Sequence, residues 1–421
     1  MPGTKTWPGE AVIGGGEGVN GIGEIGSLSG RTIWLAGIGG AGMSAYALIA
    51  KAWGADVSGW DKAETPYLAN VRTAGINVEI APEPTLPGAE VERYVSTAFA
   101  GRIEGRPRAD LLAELVSLRR SIVVSGAHGK TTTSGMIAFC LDRLGLDPAF
   151  IVGGEIAQLG GNARTGAGWL VVEGDESDRS VAALRPEIAV LLNVDLDHHT
   201  TYASLAEVER LFEDWLAQVP KVVRAEELGP VDLPLALPGE HNRLNAAAAL
   251  AALELAGVER AAAESVIVEY RGAGRRFEKR GEAAGVKVFD DYGHHPAEVA
   301  ATLAAARERA SEGRLAVIFQ PHLYSRTRHL AREFASSLAA ADAVCVAEIY
   351  AAREDPVPGV SGKLVVDALA EVRPGMPLAW TPTLEDGVRF LAGWVRAGDL
   401  VFTIGAGDVD RAGPLLLEAL A

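Results

Sequence analysis

Cysteine, aromatic residues, excess basic charge and long apolar runs are all scarce in this chain, and each scarcity removes a class of function. The only cysteines among 421 residues are Cys140 and Cys345, each inside an apolar run. That excludes a disulfide framework or a cysteine-based zinc site and leaves two buried, reduced thiols. Aromatic residues make up 6% of a chain that is 48% apolar, so the core must be built from small aliphatic side chains, as in layered α/β architecture. A net charge of −16 lacks the basic footprint that nucleic acid or an anionic membrane surface requires, so neither is expected as a partner. An anionic ligand must then be met by locally concentrated cations. No run approaches the ~20 apolar residues of a membrane span, and the first thirty residues hold no apolar stretch suited to a signal sequence. A cytoplasmic enzyme is expected; no pattern specifies an oligomeric state.

What is present is alternation of short apolar strands with helices, over a length that suggests two to four domains at roughly 150 residues each. Residues 1–29 are glycine-rich with few large apolar groups and are expected to form a flexible segment. Strand Thr32–Ala36, the turn Gly37–Gly42, a helix from Met43 to Trp53 and strand Asp56–Trp60 ending at Asp61 form a βαβ unit. An acidic residue ~20 positions beyond a glycine turn is where a ribose contact is usually found. Strand Val91–Ala98 follows, and the Arg/Gly/Pro-dense stretch 101–108 reads as a boundary. The next unit contains helix Leu111–Leu118, strand Ile122–Val124, a helix from Ser134, strands Trp169–Glu173 and Ile188–Asn193, and helix Arg243–Ala256. A glycine/arginine cluster near Arg271 marks a second boundary. Beyond it the pattern alternates again: Val286–Phe289, Ala297–Ala310, Leu315–Phe319, His329–Ala339, Ala343–Val346, Leu400–Ile404 and a final helix. The expected division is 1–29, 30–107, 108–271 and 272–421.

The strongest chemical signal is Ser125-Gly126-Ala127-His128-Gly129-Lys130-Thr131-Thr132-Thr133, between a strand and a helix. Such a turn points backbone N–H groups and a helix N-terminus at one anionic centre, with Lys130 as a cation and a threonine hydroxyl for Mg²⁺. The first glycine of the commonest phosphate loop would fall at Val124, so this is a compressed form. Four carboxylates, Glu173, Asp175, Glu176 and Asp178, crowd one strand end; a solvated acidic turn is one reading, and a Mg²⁺-binding carboxylate at Glu173 is the other. His198 ends the next strand, either as a structural residue or as a second metal ligand or phosphate-orienting group. Arg275 and Arg276 sit at the domain junction, as surface ion pairs or as a phosphate clamp. Two further loops, Asp290–Pro296 and Phe319–Arg328, carry polar, aromatic and imidazole groups that scaffold alone explains poorly.

Together these motifs resemble the Mur ligase family: GIGGAGMS at 37–44, GAHGKTTT at 126–133, EGDESD at 173–178, LNVDLDH at 192–198, GEHNRLNA at 239–246, RRFE at 275–278, DDYGHHPAE at 290–298, FQPHLYSRT at 319–327 and IYAARE at 349–354. The resemblance runs in order from about Arg31 to the C-terminus, and it is strongest to the branch acting on UDP-N-acetylmuramate and L-alanine. It implies an α/β chain of three domains: a Rossmann-like N-terminal domain for the UDP-sugar, a central P-loop ATPase-type parallel sheet, and a C-terminal Rossmann-like domain that closes with the amino acid. The implied reaction, in peptidoglycan precursor synthesis, uses ATP to phosphorylate the lactyl carboxylate, after which the amine displaces phosphate.

Carried over by position, the resemblance implies ATP contacts from Gly126, His128, Gly129, Lys130, Thr131, Thr132, Asn242, Asn245, Arg276 and Asp291. It implies Mg²⁺ at Thr131, Glu173 and His198. Gly39, Gly40, Ala41, Gly42, Met43, Ser44 and Asp61 would hold the UDP moiety, and Tyr292, His294, His322 and Arg326 the amino acid or new bond. Lys130, His198, Arg276, His294 and Arg326 are the implied catalytic set. Thr200 replaces a frequent acidic residue, and Leu323 a frequent arginine. The nearest alternative is a branch that recycles whole peptides onto the same UDP-sugar; its corresponding motif tends to D-D-F-A-H-H-P, so Tyr292 and Gly293 favour the single amino acid. A nucleotide switch would leave the Asp290 and Phe319 loops unexplained, and a nicotinamide oxidoreductase would leave Lys130 unexplained.

Overall fold

Fully buried runs of aliphatic residues become the central strands of three separate sheets in the computed structural model, which describes residues 27–197, 201–310, 313–352 and 354–421. The first sheet holds β1 (Thr32–Ala36), β2 (Asp56–Asp61), β3 (Asn77–Ile80), β4 (Glu92–Val95) and β5 (Arg106–Pro107), with α1 (Ala41–Ala52) and α2 (Leu68–Thr73). Its order is 3-2-1-4-5 and every pairing is parallel. Strand order reverses at β1, the place where open α/β sheets bind ligands beyond the strand ends. Leu28 is already buried in the first core and its N–H bonds Trp53 O at 2.9 Å, so the ordered chain begins before Arg31. The remainder of the expected flexible segment, residues 1–26, lies outside the described residues.

The second unit comprises α3 (Arg108–Ser117), β6 (Ser121–Ser125), α4 (Lys130–Arg143), β7 (Ala149–Ile156), β8 (Gly161–Arg164), β9 (Leu170–Glu173), β10 (Ile188–Leu191), α5 (Leu205–Leu216), β11 (Lys221–Arg224), α6 (Glu240–Leu255) and α7 (Arg260–Ile267). The sheet order is 11-10-6-9-7-8, parallel except for the β7–β8 edge pair. The third comprises β12 (Glu278–Ala283), β13 (Val286–Asp291), α8 (Pro296–Ala310), β14 (Leu315–Phe319), α9 (Tyr324–Leu338), β15 (Ala343–Val346), α10 (Lys363–Val372), β16 (Leu378–Trp380), α11 (Leu384–Ala392), β17 (Leu400–Ile404) and α12 (Ala412–Leu420). Here the order is 12-13-17-14-15-16, with only β12 antiparallel. The three-sheet α/β architecture is the one expected. Among the described residues no helix is long and apolar enough to cross a membrane.

Packing joins the first two units more intimately than the third. One continuous apolar core runs from Leu35, Ala47 and Leu115 to Val123, Ile151 and Val172, so the α1 side of the first sheet and one face of the second share it. The other face of the second sheet packs on α4, α6 and α7 through Val124, Phe139 and Leu250. The third sheet has its own core on each face.

Gly135 shows how tightly α4 is seated. A Cβ there would lie 2.1 Å from Tyr270 Oη and 3.0 Å from Ile156 Cδ1. Alanine ordinarily favours a helix interior over glycine by about 1 kcal/mol. Here Gly135→Ala is expected instead to destabilise by about 1–3 kcal/mol through overpacking. A fall in the denaturant midpoint checks this, and an unchanged or higher midpoint contradicts it.

Candidate active site

The loop between β6 and α4 is shaped by sterics before chemistry. Gly126 has φ +133° and Gly129 φ +84°, and a Cβ on either would collide with Asn193 O at 2.9 Å or Asn245 Oδ1 at 2.5 Å. Asn193 fixes the loop: its Oδ1 accepts from the His128 N–H (2.8 Å), its Nδ2 donates to His128 O (3.0 Å), and its carbonyl accepts from the Ala127 N–H (3.2 Å). The helix starts at Lys130 itself. Lys130 Nζ donates to Gly126 O (2.5 Å), Ala127 O (3.1 Å) and Glu176 Oε2 (2.9 Å). Burial alone would lower this ammonium, but Glu176 and Glu173 prevail and hold it above its ordinary range. Thr131 Oγ1 donates to Glu173 Oε2 at 2.8 Å, as does the Gly153 N–H at 2.7 Å. Thus a hydroxyl and a carboxylate meet beside the ammonium.

The third domain presents its groups on the ends of β13 and β14. Asp291 accepts from the N–H groups of Phe277 and Gly293 (both 2.9 Å) and from Thr302 Oγ1 (3.0 Å), and burial raises its pKa. Arg275 and Arg276 part company. Both line the cleft, but Arg275 is tied to scaffold, donating to Asp290 (2.7 Å), Gly407 O (2.9 Å) and Gly405 O (2.8 Å), whereas Arg276 lies 3.5 Å from Glu298. His294 sits 3.3 Å from Glu298 and 3.9 Å from Asp197, and burial takes its pKa down to about 4. Arg326 is 2% exposed; it donates to Asp197 Oδ1 at 2.7 Å and lies 3.0 Å from His322 Nδ1.

Two cavities organise these groups. A cleft of about 1560 Å³ is lined by Ala41 and Gly42 of the first domain, Lys130, Thr131 and Glu173 of the second, and Arg276, Tyr292 and His294 of the third. A neighbouring cavity of about 610 Å³ is lined by His128, Gly129, Thr132, Asn242, Asn245 and Asp291, with Arg276 bordering both. Within the first glycine turn, Asp61 Oδ2 accepts from the Gly39 N–H at 2.8 Å. Met43 and Ser44 depart from the expected ligand-facing role: both are buried, and the Ser44 N–H and hydroxyl bond Gly40 O and Ala41 O within the turn. Helix α1 turns those side chains inward, leaving Ala41 and Gly42 at the cleft. His198 and Thr200 lie outside the described residues. Glu176, Asp197, Glu298 and Arg108 went unassigned in the sequence, although the first three stand inside the recognised motifs; Arg108 lines the cleft and pairs with Asp178 at 2.9 Å.

The chain is similar to known proteins along nearly its whole length. Residues 32–120 match the Mur ligase family catalytic domain and residues 275–407 the Mur ligase glutamate ligase domain. The UDP-N-acetylmuramate–L-alanine ligase of Kineococcus radiotolerans is 39% identical, over 96% of this chain and 98% of the relative. The chain belongs to the Mur ligase family. This Mur ligase is also 38% identical to the UDP-N-acetylmuramate–L-alanine ligase of Rubrobacter xylanophilus, over 92% of this chain and all of that one. Among solved structures, the UDP-N-acetylmuramate–alanine ligase of Thermotoga maritima superposes with a TM-score of 0.75 at 27% identity, covering 92% of this chain and 98% of that one. A murein peptide ligase from Psychrobacter arcticus shares the fold, with a TM-score of 0.61 at 23% identity over 93% of this chain and 99% of that one.

Proposed function

We propose that this Mur ligase joins L-alanine to the lactyl carboxylate of UDP-N-acetylmuramate with ATP, through an acyl phosphate, in the cytoplasmic stage of peptidoglycan precursor synthesis. The observation that carries the proposal is the single cleft into which Ala41 and Gly42, Lys130 and Thr131, and Arg276 and His294 project from three domains. The full-length likeness to alanine-adding relatives favours it over peptide recycling.

A carboxylate attacking a triphosphate brings like charges together, so the barrier falls only where cations are placed beforehand. Lys130 and Arg276 supply fixed positive charge in a strongly acidic protein. Thr131 and Glu173 would hold Mg²⁺; both donate oxygen, which suits a hard cation. When bound, that ion would neutralise phosphate charge. Asn242, Asn245 and Asp291 line the smaller cavity, where the nucleoside of ATP fits beside the phosphate loop. On the other side, His294 Nδ1 lies 3.1 Å from Tyr292 O. A proton placed there leaves Nε2 with a lone pair that can accept a hydrogen bond from the incoming amine. Docking of the third domain excludes water from the acyl phosphate.

Phosphate release from ATP tests the reading. It should require UDP-N-acetylmuramate and be fastest with L-alanine among the amino acids. Faster release with the tripeptide would mark a recycling enzyme, and release independent of the sugar nucleotide would remove the ligase assignment. Glu173→Gln is expected to raise the Mg²⁺ concentration for half-maximal rate by about tenfold or more, because it removes a charged oxygen ligand. Mg²⁺ titration of the rate checks this, and an unchanged requirement moves the ligand elsewhere.

A further inference from the structure

Where the phosphate loop meets the third domain, two imidazoles and a carboxylate converge apart from the Thr131–Glu173 pair. The rings of His128 and His295 stack with centroids 4.7 Å apart. His128 Nε2 lies 3.5 Å, and His295 Nδ1 3.7 Å, from the same atom, Asp195 Oδ2. Both nitrogens are buried without a hydrogen bond, and His295 as a whole is only 6% exposed. A buried polar atom in that condition has lost water without gaining a protein partner, so two aimed at one carboxylate oxygen call for a common partner. Among the described residues this is the one group of three such side chains whose ligand atoms all lie within 4.8 Å of one another. Ligands on a tetrahedral ion with bonds near 2.0 Å stand roughly 3.3 Å apart, a spacing that small side-chain rotations would reach.

The surroundings are arranged for the same purpose. His128 Nδ1 faces Glu298 Oε1 at 3.5 Å. With the ring proton on that side, the Nε2 lone pair points at Asp195, and Glu298 orients the imidazole as carboxylates behind metal-bound histidines do. Two imidazole donors suit borderline transition metals rather than Mg²⁺, which prefers oxygen.

We propose that His128, Asp195 and His295 bind one first-row transition-metal dication of the Zn²⁺ class, distinct from the Mg²⁺ that serves ATP. His128 and Asp195 belong to the central domain and His295 to the third, so the bound ion ties the phosphate loop to the closing domain.

Calorimetric titration of the full chain with ZnCl₂, in excess Mg²⁺ and without ATP or sugar nucleotide, tests this. One Zn²⁺ is expected to bind. His295→Gln and Asp195→Asn, each retaining the wild-type circular dichroism, should weaken binding by at least about tenfold. Co²⁺ should give a visible ligand-field band with the wild-type protein that His295→Gln loses. Failure of the wild type to bind Zn²⁺, or wild-type affinity in either folded variant, overturns the proposal. Since no substrate is present, the result is independent of whether the ligase reading holds.

Discussion

Replacement of Lys130 by alanine is expected to lower kcat/KM for ligation by about 10³-fold or more, a loss of roughly 4 kcal/mol of transition-state stabilisation. The ammonium is held by Gly126 O, Ala127 O and Glu176 at the edge of the cleft, so it is already placed for a phosphate seated on the loop. A triphosphate binding there must compete with Glu176 for it. Stability and catalysis separate in a second step. Glu176 is 3% exposed, and removing the cation beside a buried carboxylate costs about 3–5 kcal/mol. The Lys130→Ala/Glu176→Gln double variant should therefore recover much of the unfolding free energy while remaining inactive. Lys130→Arg keeps the charge, but its planar fork does not fit the slot between two carbonyls and Glu176 and should also be impaired. Phosphate release and denaturant unfolding measured on all three variants check this. Activity within tenfold of wild type in Lys130→Ala would remove the mechanism.

Much of the fold was legible because parallel strands buried on both faces read as uninterrupted aliphatic runs. Thr32–Ala36, Leu315–Phe319, Ala343–Val346 and Leu400–Ile404 coincide with their strands. Most strands that escaped are edges: β8 reads GNAR and β12 reads EKRGEA, sequences that look like loop because only one side is paired. The exception is β7, AFIVGGEI, which lies between β9 and β8. Helix α5 escaped despite a clear signal, with Val208, Phe212, Trp215 and Leu216 on one face. Two helices were placed four or more residues too late. α4 starts at Lys130 rather than Ser134 and α9 at Tyr324 rather than His329, because their first turns carry functional polar residues with no apolar period. α9 also departs from helical geometry at Leu330, with φ −116°, so its apolar pattern restarts near the position where the sequence suggested a beginning.

The sequence named residues that the structure places on the two cavities, Glu173 and Asp291 at strand ends and Lys130 at a helix start. The partnerships within the site were not legible. Glu176 turning to Lys130, Glu298 reaching Arg276 and His128, and Asp197 meeting Arg326 are long-range pairings, the last across 129 residues of chain. Local pattern carries no information about them, since each depends on how separate sheets are set against one another. The inward rotation of Met43 and Ser44 has the same origin: a motif names the turn, but the helix phase decides which of its residues see the cleft.

Arg326 marks where that relation between sheets becomes energetic, and its replacement by alanine is expected to cost about 10²–10³-fold in kcat/KM. Its guanidinium stands at the start of α9 in the third domain, and Asp197 follows β10 in the second; their side chains are 2% and 4% exposed and 2.7 Å apart. Taking one partner from a buried pair costs about 3–5 kcal/mol, and each 1.4 kcal/mol shifts the closed-to-open ratio tenfold. Scattering from Arg326→Ala should therefore show a larger radius of gyration than wild type under the same ligands. The Arg326→Met/Asp197→Leu pair distinguishes docking from chemistry. An apolar pair of similar volume can replace a buried ion pair with little loss of stability, so this variant should close again. If Arg326 also faces the amino acid, as its contact with His322 beside His294 suggests, the closed double variant will remain slow. Recovery of full activity there would reduce Arg326 to a latch; an unexpanded and fully active Arg326→Ala would mean that the third domain is held by other contacts altogether.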